Sequence, residues 1–125
     1  MKLGLVGYGF GGRVFHAPFI QAAEGVEIAG VVARSADKIA QLAKDLPGVP
    51  VYSSLAEMAA AGEVEMVTIT TPPETHKALT LEAIELGLHV VCDKPFAPTY
   101  PDAAEMVEAA KAKGVLLNVF HNRRW

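Results

Sequence analysis

Along the chain, short apolar runs alternate with longer stretches in which apolar residues return every three or four positions. The runs Lys2 to Val6, Val26 to Ala33, Val51-Tyr52, Met66 to Thr70, Leu88 to Cys92 and Val115 to Phe120 are near-continuous. That is the pattern of strands covered on both faces, as in a parallel sheet. Between them, Ile39, Leu42, Ala43 and Leu46 follow Ser35 at helical spacing until Pro47-Gly48 ends the pattern. Ser54 to Glu57 has the form of a capping box, with a hydroxyl three residues ahead of a carboxylate. Thr71-Pro72-Pro73-Glu74 has it too, which predicts Thr71 as N-cap, a proline in the first helical position and a stop at Gly87. Thr99 to Asp102 opens a last helix carrying Ala103, Met106, Val107 and Ala110, closed by Gly114. Six strands separated by helices predict an α/β fold: a doubly wound parallel sheet in one domain, residues 1–125, with strand order 3-2-1-4-5-6. Ligands of such a sheet lie at the carboxyl ends of its strands.

The first strand runs into Gly7-Tyr8-Gly9-Phe10-Gly11-Gly12, which satisfies G-x-G-x-x-G with a strand before it and a helix after it. In that arrangement the first glycine permits the tight turn, the second lets the backbone approach a pyrophosphate, and the third lets helix and strand pack closely. The amides at the helix start face the anion. The expectation is an NAD(P)-binding Rossmann fold. Arg13 can reach a phosphate or stand in solvent, His16 is expected to be buried and hydrogen-bonded, and Pro18 is expected to start a regular helix after a loose first turn.

Composition narrows the partners. A net charge of -3 gives no general attraction to polyanions, so nucleic acid is not expected. No apolar run approaches the length of a membrane span, and a start broken by Gly4, Gly7 and Gly9 reads poorly as a secretion signal. Cys92 has no partner for a disulfide, and His16, His76, His89 and His121 lack the spacing of a zinc site. A cytoplasmic protein without a structural metal is expected.

The cofactor follows from the second strand. A domain selective for NAD usually places Asp or Glu about 20 residues after the glycines, to bind the ribose hydroxyls. Here the strand ends in Ala33-Arg34-Ser35. Ala33 removes the charge that would repel a 2′-phosphate, Arg34 can pair with that phosphate, and Ser35 can donate to it. NADP is expected, with NAD as the alternative should Arg34 stack on adenine instead.

Two further motifs fall at strand ends. Thr70-Thr71-Pro72 leads toward His76, placed to line the nicotinamide end of the site or to sit on the helix surface. The fifth strand ends in Asp93-Lys94-Pro95, and a charged pair directly after a buried strand suits a site: Lys94 can hydrogen-bond a reacting hydroxyl or carbonyl oxygen.

Taken in order, GYGFGG, TPPETH, DKP and the terminal VFHNRRW resemble the N-terminal domain of the glucose-fructose oxidoreductase/inositol dehydrogenase/MocA family, over essentially the whole chain. That family ends its fifth strand in Glu-Lys-Pro. The resemblance implies a catalytic role for Lys94, a place for Asp93 bordering the nicotinamide with a carboxylate one carbon shorter, and a cis Lys94-Pro95 bond. It also implies that Thr70, Thr71, Pro72 and His76 flank the nicotinamide half. His121-Asn122-Arg123-Arg124-Trp125 stands where relatives cross into a second domain that completes the substrate pocket and commonly mediates dimerisation; that domain is expected to lie outside these 125 residues. The expectation is therefore a cofactor domain, cut from a longer protein or a natural fragment, of a homo-oligomeric oxidoreductase. It would move hydride between the nicotinamide and a CH–OH or carbonyl carbon of a sugar, polyol or related substrate, and would turn over little alone. The rivals are a non-catalytic dinucleotide sensor and the cofactor domain of an imine- or bilin-type reductase.

Overall fold

A computed structural model describes residues 1–123; Arg124 and Trp125, the end of the terminal segment singled out above, lie outside the described residues. Strands β1 (Lys2–Val6), β2 (Glu27–Val32), β3 (Val51–Tyr52), β4 (Met66–Ile69), β5 (His89–Asp93) and β6 (Leu117–Phe120) form one sheet in the order β3-β2-β1-β4-β5-β6. Every pairing is parallel. Helices α1 (Ala17–Ala22), α2 (Ala36–Asp45), α3 (Leu55–Ala60), α4 (His76–Glu85) and α5 (Tyr100–Lys113) fill the connections.

Two cores explain why the strands read as unbroken apolar runs. Neighbouring residues of a strand point to opposite faces. Leu5 and Val31 pack with Ala17, Leu42 and Leu46 under α1 and α2. Val6 and Val32 pack with Met58, Ile84 and Met106 under α3, α4 and α5. With both faces covered, polar alternation has no place to appear.

The helix starts show where local pattern decides and where it does not. Thr99 Oγ1 accepts from the amide of Asp102 at 3.3 Å and donates to its carboxylate at 2.6 Å, and α5 ends at Gly114 in the left-handed region, φ 73°. Ser54 Oγ accepts from Glu57 N at 3.1 Å, but the Glu57 carboxylate takes its bonds from the amide and hydroxyl of Ser53, one residue further out than a capping box places them. Thr71 is not an N-cap. Pro73 forces Pro72 into extended backbone, ψ 144°, so the helix cannot begin there. A single 3₁₀ turn, Pro73–Thr75, comes first, and the Thr71 hydroxyl accepts from Thr75 Oγ1 at 2.6 Å. Lys77 Nζ then ties α4 to α5 through Glu105 at 2.7 Å and Asp102 at 2.9 Å, which together push the ammonium up to about 12.

Candidate dinucleotide site

The turn after β1 is shaped by two glycines. Gly7 has φ +96°, where a side chain is strained, and its amide donates to Val32 O at 3.1 Å. A Cβ on Gly12 would lie 2.5 Å from the Gly7 carbonyl and 2.7 Å from Thr70 Oγ1, so only glycine lets the helix press against the turn. Gly9 differs: a Cβ there would meet nothing within 4 Å. The middle of the loop therefore faces open space at the carboxyl end of the sheet, which is the room a pyrophosphate needs against main-chain amides. The loop continues as a widened π-helical turn, Gly11–His16, before α1 begins at Ala17 with Pro18 in its first turn. Pro18 has no N–H to carry regular bonding back through that turn.

A cleft of about 550 Å³ opens beside the turn, lined by Gly7, Ala33, Arg34, Lys38, Thr71, Pro72 and Glu74 among others. Arg34 is exposed and its Nε donates to Ser53 O at 2.9 Å, which leaves the outer guanidinium nitrogens toward solvent. Ser35 precedes α2, and its side chain makes no capping bond. Lys38 was not foreseen. It stands four residues after Arg34, one helical turn along, and that spacing was the available signal.

Several foreseen residues serve the cleft from behind. Tyr8 is 3% exposed, with its ring buried below the loop, so only its backbone can face a ligand. Thr70 is also buried; its hydroxyl donates to Gly7 O at 2.9 Å and so holds the glycine turn from β4. His76 neither lines the cleft nor lies on the helix surface, because it is fully buried. Its Nδ1 stands 2.9 Å from Pro95 O and its Nε2 2.8 Å from Thr71 O. Both are carbonyl acceptors, and the tautomer sets which of them receives the ring N–H. The imidazole clamps the Thr71 turn to the segment carrying Lys94.

At the far end of the loop, Phe10, Gly11, Asp93, Lys94, Asn122 and Arg123 border a smaller pocket of about 250 Å³. The Lys94-Pro95 peptide is cis. Asp93 Oδ1 accepts from the Lys94 amide at 2.8 Å, and Oδ2 lies 3.5 Å from His16 Nε2, short of a formed hydrogen bond. His16 is thus buried as expected, but without the partner expected of it. Burial holds its imidazole below the ordinary range, and Asp93 offsets only part of that. Arg13 is exposed, and its Nε is engaged by Asp45 at 2.6 Å. A larger hollow, about 650 Å³, lies at the opposite, amino edge of the sheet between Glu27, Pro50 and Glu63. Its carboxylates disfavour a phosphate.

Glycine turn, open Gly9 and a cationic second-strand end on a 3-2-1-4-5-6 parallel sheet define a dinucleotide-binding class of domain. Residues 1–121 match the family described as oxidoreductase family, NAD-binding Rossmann fold (GFO_IDH_MocA), and the chain belongs to that family. It is 35% identical over its whole length to scyllo-inositol 2-dehydrogenase (NADP(+)) IolW of Bacillus subtilis, covering 34% of that protein. It is 37% identical over 82% of its length to 1,5-anhydro-D-fructose reductase of Ensifer adhaerens, covering 31% of it. Among solved structures it is similar to GenD2 from gentamicin A biosynthesis in complex with NAD, at 31% identity and TM-score 0.88, covering 95% of this chain and 34% of that one. The chain spans about a third of the length of the curated relatives it matches. Among the described residues, no helix is long and apolar enough to cross a membrane, and no three His, Cys, Asp or Glu side chains cluster as metal ligands would.

Proposed function

We propose that this domain prefers NADP and serves an enzyme that moves hydride between the nicotinamide and a hydroxyl-bearing carbon of a sugar, polyol or related compound. The observation that carries the preference is the end of β2: Ala33 stands where a ribose-binding carboxylate would be, and Arg34 and Lys38 border the same cleft. Two cations and no strand-end carboxylate favour a 2′-phosphate. IolW, named for NADP(+), supports the reading, while the NAD complex of GenD2 marks NAD as the competitor.

The glycine turn would hold the pyrophosphate, Arg34, Ser35 and Lys38 the adenosine end, and the pocket beside Asp93 and Lys94 the reacting end. When bound, the nicotinamide supplies the hydride acceptor or donor. Oxidising a CH–OH group also releases a proton; the Lys94 amine takes it from the hydroxyl, and in the reverse direction the ammonium returns it to the carbonyl oxygen. Asp93 fixes the start of that segment through the Lys94 amide. The substrate pocket is completed by a second domain of the kind the resemblance implies, in a homo-oligomer, so the 125-residue chain alone binds dinucleotide and turns over little substrate. Calorimetric titration with NADP+ and NAD+ tests the preference: tighter uptake of NADP+ supports it, and equal affinity defeats it. Lys94→Met in the complete enzyme should abolish turnover while leaving dinucleotide affinity intact; unchanged turnover would remove Lys94 from the chemistry.

A further inference from the structure

Glycines let a backbone approach a phosphate, but they also leave that backbone soft. Amides stabilise a bound anion best when already held in place. The loop's support comes from a residue outside its motif. Tyr8, between the first two glycines, sends its ring down into the layer of Leu5, Ala17 and Leu42. Its hydroxyl donates to Asp45 Oδ2 at 3.1 Å. Arg13 Nε donates to the same oxygen at 2.6 Å, and Arg13 N donates to Gly9 O at 3.0 Å, which closes the network back onto the loop. Gln41 Nε2 donates to Asp45 Oδ1 at 2.8 Å and aims the carboxylate. Hydrogen bonding from Arg13 holds the Asp45 carboxyl below its usual range, while burial and Asp45 push the Tyr8 hydroxyl up to about 12. Acceptor and donor are thus both in the required state at neutral pH.

We infer that Asp45, the last residue of α2, is a positioning residue for the phosphate loop, bracing it from below through Tyr8 on one side of Gly9 and Arg13 on the other. The inference rests on the reading that this loop carries a dinucleotide. It also assigns Arg13 to bracing the loop instead of to a phosphate. The network joins residues 32 and 37 positions apart, so no local motif announces it.

The test uses the purified 125-residue chain as parent, Asp45→Asn and Tyr8→Phe, titrated with NADP+ and with adenosine 2′-monophosphate, which lacks the pyrophosphate bridge. Amide hydrogen exchange without ligand is followed in parallel. Asp45→Asn should weaken NADP+ about fivefold to tenfold and Tyr8→Phe about threefold, with the mononucleotide unchanged. Exchange of the Gly9–Arg13 amides should quicken in both variants. Unchanged NADP+ affinity overturns the inference, and so does an equal loss for the mononucleotide, which would mean general loosening. Tighter NADP+ binding overturns it as well, since Asp45 would then be restraining a phosphate-seeking Arg13. Should Asp45→Asn fail to fold, Tyr8→Phe, which removes one oxygen, decides alone. A parent that takes up neither NADP+ nor NAD+ defeats the functional reading, and loop exchange then supports or overturns the brace by itself.

Discussion

The two halves of the cleft are built differently. On the β1–β2 side the backbone does the work: Gly7 bends, Gly12 admits the helix, Gly9 leaves space, and Arg34 and Lys38 reach outward from their own element. On the β4–β5 side three of the motif residues serve the backbone. Thr70 holds the glycine turn, His76 clamps Thr71 to Pro95, and Asp93 caps the amide of Lys94. One half presents mainly backbone and cations to a ligand, and the other, apart from Lys94 and the Thr71-Pro72 wall, holds the presenting groups in register. Mutations in the second half should therefore cost stability first and specificity second, and most mutations in the first half should do the reverse.

His76→Ala offers the largest expected effect. It leaves a cavity in place of a fully buried ring and removes the hydrogen bonding that joins the Thr71 turn to Pro95, and should cost about 3 kcal/mol in urea unfolding. A loss near zero would show that His76 only decorates the helix. Gly12→Ala tests the exception in the first half, where a motif residue is itself packed. A Cβ at 2.5 Å from a carbonyl oxygen should destabilise by about 2 kcal/mol, and dinucleotide uptake should vanish with it.

Ala33→Asp sharpens the contrast, since Ala33 borders the cleft and also belongs to the core under α1 and α2. It should shift the NADP+ to NAD+ affinity ratio about tenfold toward NAD+, with a drop in melting temperature from the partly buried carboxylate. The two threonines of cap-like sequence, Thr99 and Thr71, provide a smaller internal comparison. Thr99→Ala removes a formed cap and should cost about 1 kcal/mol, whereas Thr71→Ala removes no cap and should cost less.

The smallest effect belongs to pH. His16 is buried with its pKa held below the unfolded value near 6.5, so the unfolded chain binds a proton that the folded chain resists. Its contribution is complete above about pH 6.5 and is lost as pH falls through the lowered folded value. Melting temperatures at decreasing pH should decline from there, and His16→Gln should flatten the slope. A melting temperature that rises on acidification would mean that Asp93 outweighs burial.

How much of this was legible in advance depends on the range of the interaction. The succession of strands and helices, the apolar runs of the strands, the glycine turn and the end of β2 all follow from residues acting on their immediate neighbours, and neighbours are what a sequence displays; strand order came from the fold class that this succession implies. Thr71 misled because the pattern of a capping box was present, yet Pro73 vetoed it through a steric effect on Pro72. Lys38 was within reach of helical spacing. The brace at Asp45 and the clamp at His76 were not. Each joins side chains to partners 5 to 37 positions away, and their direction is set by which helix packs on which face.

By itself, then, the sequence determined the succession of elements and the need for glycine where the chain turns, because periodicity and backbone sterics are local. Which polar side chains meet a ligand, and which turn inward to hold the backbone that does, was decided only by tertiary packing. A buried donor or acceptor takes whatever partner the fold brings within about 3 Å, and that partner is chosen in space.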